Sequence, residues 1–288
     1  MIKTARQLKD KIKNMSGGNS MRAQTLIRNY IMERFLERIA LSEYKDKFVL
    51  KGGMLVASIV GLETRATMDI DTTVRSLNLT LEDATKAVED ISKVEIDDGV
   101  SFAITKATDI MEEHEYPGLR FMLEAKFDGM RQTIKIDIST GDAITPSAVM
   151  YSYKLMFEER AIPLYTYNIE TLLAEKLETV MSRGTANTRM RDFYDIHVIL
   201  EQERDNINTQ HLHNAFIATA RKRNTDNLIS QIYETIDYIA HSELMERDWN
   251  NYRKSNFFVG ELSWQEVVDS VKRLADMVLA RDRETMGV

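Results

Sequence analysis

The sequence predicts an α/β protein of the α+β kind: a mixed sheet flanked by helices over residues 1–165, then a helical part over residues 166–288. Three observations carry this. Residues 67–74 alternate, with Met68, Ile70, Thr72 and Val74 facing one way and Asp69, Asp71 and Thr73 the other. The segments 119–127 and 132–139 flank Asp128-Gly129, a dipeptide suited to a two-residue hairpin. After Tyr167 one segment after another repeats its apolar residues at helical spacing, with no strong strand signal.

In chain order, residues 1–20 predict a short helix and a loop through Ser16-Gly17-Gly18-Asn19. Leu26, Tyr30, Ile31, Phe35, Leu36 and Ile39 mark an amphipathic helix over 21–40. Phe48-Val49-Leu50 reads as a short buried strand that runs through Lys51-Gly52-Gly53 into a small, apolar helix over 54–60. The polar-faced strand 67–74 is followed by an amphipathic helix over 81–93 and by strands 101–107, 119–127 and 132–139. Between Pro146 and Pro163 only Ile162 to Tyr167 gives an extended signal. Helices are expected over 168–183, 189–203, 209–222, 226–240 and 263–282.

Composition narrows the function. The 288 residues, 43% hydrophobic, suffice for one large domain or two smaller ones. With 3 prolines and 12 glycines, long low-complexity stretches are not expected. Cysteine is absent, which excludes disulfides and thiolate metal sites and fits a reducing interior. A net charge of -7 excludes a general basic nucleic-acid coat protein but permits a local basic patch. No apolar run approaches the roughly 20 residues that span a bilayer. Met1 to Ser16 is lysine-rich without an apolar core, so no signal peptide is expected and the cytoplasm is the expected location.

The chemistry begins at Asp69-Ile70-Asp71. Side chains two apart on a strand share a face, about 7 Å apart along it. Two such carboxylates repel unless a cation lies between them, and hard oxygen ligands suit Mg²⁺ or Mn²⁺ rather than zinc. Alone, Asp-x-Asp is common on solvated strands. A second strand strengthens the reading: in Ile134-Lys135-Ile136-Asp137-Ile138 the isoleucines claim the core, which turns Asp137 to the opposite face. If the strands are neighbours, three carboxylates converge, enough to hold two metals about 3.5–4 Å apart for displacement at phosphorus.

Lys51-Gly52-Gly53 lies between a strand and a helix start, where glycine lets backbone approach a ligand and the helix N-terminus attracts phosphate. A plain tight turn is the more frequent explanation, and it is neither a Walker A loop nor a dinucleotide fingerprint. Lys176 falls inside the apolar arc of Ile169, Leu172, Leu173, Leu177 and Val180, so it must snorkel, pair with an acid, or meet a ligand. Arg183, Arg189 and Arg191 form a basic patch with no acid between them before Asp192. Arg189 with Asp192, and Arg191 with Asp195, also fit ordinary helix-surface pairs. The histidines suggest no zinc site, and Trp249, Phe257, Phe258 and Trp264 read as core.

Taken in order, Phe48-Val49-Leu50-Lys51-Gly52-Gly53, Arg65-Ala66-Thr67-Met68-Asp69-Ile70-Asp71, Ile136-Asp137-Ile138 with Gly141-Asp142, Ala174-Glu175-Lys176-Leu177 and Arg191-Asp192-Phe193-Tyr194-Asp195-Ile196 resemble the AbiEii/AbiGii family of nucleotidyltransferase toxins, which is similar to the MenT toxins. The resemblance covers about residues 20–200. It implies the DNA polymerase β-type nucleotidyltransferase fold, in which Gly-Ser usually precedes Asp-x-Asp. Gly52-Gly53 stands there instead, so the hydroxyl near the phosphates is missing and Thr67 is the candidate to replace it. The resemblance further implies metal binding by Asp69, Asp71 and Asp137, triphosphate contacts from Gly52, Gly53 and Lys176, with Lys51 and Arg189 beside them, and an active-site place for Asp192. It implies transfer of a nucleotide from a nucleoside triphosphate to an RNA, with the tRNA 3′ end as the expected acceptor. A neighbouring winged-helix antitoxin and a role in phage defence come with it. The alternatives are a metal-dependent nuclease, since Glu124-Ala125-Lys126 imitates an Asp…Glu-x-Lys site, and a non-catalytic nucleotide-binding module.

Overall fold

The computed structural model describes residues 1–77, 80–110 and 118–286. The chain divides into two compact units, one of Met1–Ser58, Ala66–Asp142 and Val149–Thr166, the other of Ile59–Arg65, Ala143–Ala148 and Tyr167–Val288. Among the described residues, no helix is long and apolar enough to cross a membrane.

The first unit begins with helices α1 (Ala5–Ser16) and α2 (Ser20–Leu41), each started by a side-chain cap, Thr4 and Asn19. There follow β1 (Phe48–Lys51), α3 (Gly52–Val60), β2 (Ile70–Val74), α4 (Leu81–Ser92), β3 (Val100–Ile110), β4 (Gly118–Phe127), β5 (Met130–Thr140), β6 (Val149–Lys154) and β7 (Ala161–Thr166). The strands form one mixed sheet in the order β3-β4-β5-β2-β1-β7-β6. The apolar β1 lies inside it, antiparallel to β2 and parallel to β7. The predicted hairpin forms at Asp128-Gly129, whose φ angles of 44° and 77° are the left-handed pair that a two-residue turn requires. That turn fixes Phe127 opposite Met130, and so Arg120 opposite Asp137.

The structure departs from expectation at α2. The spacing predicts an amphipathic helix, yet every residue from Asn29 to Ala40 is buried. Its charged residues are tolerated there because each meets a partner. Arg38 donates to both Asp98 oxygens at 2.7 and 3.0 Å and to the Val100 carbonyl at 2.6 Å. Arg34 pairs with Glu37 at 3.0 Å and Glu158 at 3.1 Å, and Arg160 forks Glu37 at 2.5 and 3.0 Å. Strand β6 was not legible because its sequence lacks a clean alternation: it is an edge strand that leaves Val149 and Met150 exposed.

In the second unit α5 (Ile169–Arg183) is buried on most sides and capped by Asn168, whose side chain accepts from Thr171 N at 2.7 Å. The Asn168 amide also donates to the Thr145 and Ser147 carbonyls, at 2.9 and 3.0 Å, which ties segment 143–148 to this unit. Then come α6 (Met190–Glu203), α7 (Thr209–Lys222), α8 (Ile232–Ala240), α9 (Glu243–Ser255) and α10 (Trp264–Met286). The helix expected over 226–240 opens as a 3-10 stretch over Asp226–Gln231 before α8. The sequence did not announce α9, a mostly polar helix whose buried residues are Met245 and Trp249. Trp264 packs against Phe193 and Trp249, with ring centroids 5.1 and 6.3 Å apart, while Phe257 and Phe258 are half-buried.

Candidate active site

Strand periodicity and pairing assemble the acids. β2 runs parallel to β5 with Ile70 beside Ile136 and Asp71 beside Asp137. The isoleucines fill the core beneath the sheet, which sends both carboxylates to its other face. Asp69, just before β2, joins them: one oxygen from each of Asp69, Asp71 and Asp137 lies within 4.8 Å of the others. All three are half-buried. Among the described residues this is the one group of three or more acids, histidines or cysteines so arranged.

The neighbours hold these carboxylates in place. Arg120, directly across from Asp137 on β4, donates to both its oxygens at 2.8 Å. Lys135, two residues before Asp137 on the same strand face, pairs with Asp69 and lies 3.7 Å from an Asp137 oxygen. The buried Thr67 hydroxyl donates to an Asp69 oxygen at 3.3 Å, so its place is beside an acid.

Gly52 explains why a glycine opens α3. Its φ is +63°, and a β-carbon there would lie 2.1 Å from an Asp71 oxygen. The backbone therefore passes directly against the carboxylate. Gly53 follows, buried in the first turn of α3. Lys51 stands opposite Asp71 in the β1–β2 pair and forms an ion pair with Asp142, a carboxylate that also accepts from Ser139 Oγ at 3.1 Å.

The second unit gathers its own charged cluster. Lys176 is buried, with Nζ donating to Asp195 at 2.7 Å and Asp192 at 3.0 Å. Of the outcomes that its position on the helix allowed, pairing with an acid is the one found. Asp195 also accepts from Arg65 Nε at 2.5 Å. Burial alone would lower the Lys176 pKa and raise that of Asp195. The opposite charges outweigh it, so Lys176 is raised by Asp195 and Asp192, and Asp195 is lowered by Arg65 and Lys176. Arg189 precedes α6 and is half-buried, its backbone N–H donating to Asn187 at 2.8 Å.

Glu124 of the nuclease-like Glu124-Ala125-Lys126 stretch is paired with Arg131 at 3.4 Å and Lys126 at 3.6 Å, outside the three-acid group. Arg65, Arg120, Lys135 and Asp142 are the site residues to which sequence reasoning assigned no role. A signal existed for two of them. Lys135 shares the parity of Asp137, and counting outward from the Asp128-Gly129 turn places Arg120 opposite Asp137.

Among solved structures, JHP933 from Helicobacter pylori is 17% identical, with a TM-score of 0.50 over 92% of this chain and 97% of that one. That likeness shows the fold. An antigenic nucleotidyltransferase-like protein from Paracoccidioides brasiliensis is 11% identical, with a TM-score of 0.33 over 84% of this chain and 93% of that one. No curated protein matches the sequence. The family described as nucleotidyl transferase AbiEii toxin, type IV toxin–antitoxin system, matches residues 34–270, well over half of the chain. By that match the chain belongs to the AbiEii family of nucleotidyltransferase toxins.

Proposed function

We propose that this nucleotidyltransferase moves a nucleotide from a nucleoside triphosphate onto an RNA, with the tRNA 3′ end as acceptor. The observation that carries the proposal is the convergence of Asp69, Asp71 and Asp137 within 4.8 Å. Three carboxylates offering only hard oxygens, on a half-exposed sheet face, fit Mg²⁺ or Mn²⁺. When bound there, divalent cations supply charge neutralisation at the phosphates and acidify the attacking hydroxyl.

The chain's own residues do the positioning. Arg120 fixes the plane of the Asp137 carboxylate, and Thr67 orients Asp69. Gly52 lets the backbone lie against Asp71, and the first backbone amides of α3 suit the triphosphate together with Lys51. The acceptor's 3′-oxygen attacks the α-phosphorus, a new P–O bond forms, the bond to the bridging oxygen breaks, and pyrophosphate departs while the hydroxyl proton is lost to solvent. Within the helical unit Asp192 and Asp195 keep the buried Lys176 protonated. Toxicity follows from altering an RNA needed for translation. The partner of this reading is a winged-helix antitoxin, the setting is phage defence, and the location is the cytoplasm.

Incubation with each α-labelled triphosphate, total RNA and Mg²⁺ or Mn²⁺ tests this. Lengthened, labelled RNA is expected from the wild type. Asp71→Asn and Asp137→Asn should each lower transfer by at least about 10³-fold, a loss of ~4 kcal/mol of transition-state stabilisation, while circular dichroism stays unchanged. Shortened RNA would mean a nuclease, and full transfer by either variant would refute the assignment.

A further inference from the structure

We propose that Lys135 is a resident cation of the acid cluster, which shares carboxylate oxygens with the divalent ion and thereby sets how tightly that ion is held. This rests on reading Asp69, Asp71 and Asp137 as the ion's ligands. Three observations converge on Lys135. Its ammonium pairs with one Asp69 oxygen and lies 3.7 Å from an Asp137 oxygen, so it spans two of the three carboxylates. Its backbone is fixed, because Ile134 and Ile136 on either side are buried at 1% and 0% exposure. Its side chain keeps 27% exposure, which leaves the flexible stem a route to solvent.

The contrast with Arg120 defines the role. Arg120 engages Asp137 through a planar two-point fork, a contact that orients. Lys135 makes a point-charge contact that bridges Asp69 and Asp137, a contact that neutralises. A divalent ion drawing on the same oxygens meets a positive charge already there. It either displaces the ammonium from Asp69 or binds against its repulsion, and both lower its affinity.

The test is Mn²⁺ titration of the full chain by calorimetry and by electron paramagnetic resonance, at fixed ionic strength. Wild type, Lys135→Met and Lys135→Gln are compared. Both variants remove the charge, one keeping the apolar stem and the other a polar end. Each is expected to bind Mn²⁺ about tenfold tighter than wild type, the scale of effect of one unit charge at contact distance in a partly exposed site. Equal or weaker binding by the variants overturns the role of Lys135 and leaves the metal reading standing. Absence of Mn²⁺ binding in all three proteins overturns both. Loss of the native circular dichroism spectrum in both variants also overturns the proposal, since it would make Lys135 a structural residue.

Discussion

Gly52→Ala places one methyl group where the sheet and α3 leave no room for it. The added β-carbon would lie 2.1 Å from Asp71 Oδ2 and 2.7 Å from Asp71 Cβ and Cγ. Ordinary contact begins at 3.4 Å, so the carboxylate must retreat by about 1.3 Å. A misplacement of about 1 Å in a reacting constellation costs on the order of 10²-fold in rate, or ~2.7 kcal/mol. Alanine at a φ of +63° also carries a backbone penalty of ~1–2 kcal/mol in stability. Gly17→Ala separates the two effects. Gly17 has a φ of +56° with nothing within 4 Å of its added β-carbon, so it carries the backbone penalty alone. Pyrophosphate release gives the rate, and urea unfolding followed by circular dichroism gives the stability. Gly17→Ala should lose the backbone penalty alone, Gly52→Ala that penalty plus the cost of the clash, and only Gly52→Ala should lose about 10²-fold in turnover. Turnover by Gly52→Ala within threefold of wild type would show that Asp71 need not stay where the structure holds it.

Two further outcomes follow from the buried charges of α2. Burial pushes the Glu33 carboxyl up to about 8, and its fold favours the protonated acid. A raised folded value means that the stability contribution is complete below the unfolded value near 4.5 and is lost as pH rises through 8, by up to ~5 kcal/mol. Urea midpoints should therefore fall between pH 5 and pH 8 in the wild type and stay nearly level in Glu33→Gln; parallel curves for the two proteins would refute the assignment. Arg38→Met strands the Asp98 carboxylate, whose side chain is fully buried, and should cost ~3–5 kcal/mol in urea unfolding. A loss below ~1 kcal/mol would mean that the pair is not needed.

Glu33 and Arg38 also show what the sequence hides. In α2 the apolar positions predict one buried stripe, yet polar positions are buried as well, because partners come from far along the chain: Asp98 for Arg38, and Tyr153 and the Met156 N–H for Glu33. Periodicity reports a helix's own preference and is silent on distant partners. The same limit shapes the site. That Asp71 and Asp137 face away from the core isoleucines was legible from strand period alone, whereas Asp69 sits in a bend before β2 and joins them from outside the ladder. That β2 and β5 lie side by side was not, since parallel neighbours need a long crossover that no short-range signal specifies. Lys176 falls between the two cases. Its need for a partner was visible on the helical wheel, and Asp192 and Asp195 lie only 16 and 19 positions on, but Arg65 reaches Asp195 from 130 positions earlier in the sequence.

The two charged clusters differ in a way that bears on which can change partners. Lys176, Arg65, Asp192 and Asp195 are all less than 9% exposed, and opening any of these pairs would leave a charge buried without compensation. Such a cluster keeps its pairs closed. Asp69, Asp71 and Asp137 are only partly buried, with Asp69 and Asp137 side chains 17% and 19% exposed, and Lys135 keeps a path to solvent. Carboxylates there can exchange one cation for another while water covers the difference, at a cost far below that of a buried pair. Under the proposed function, admitting a charged triphosphate and releasing charged pyrophosphate calls for the second kind of site at the ions. The exposure of the acids is therefore part of the same argument as their convergence.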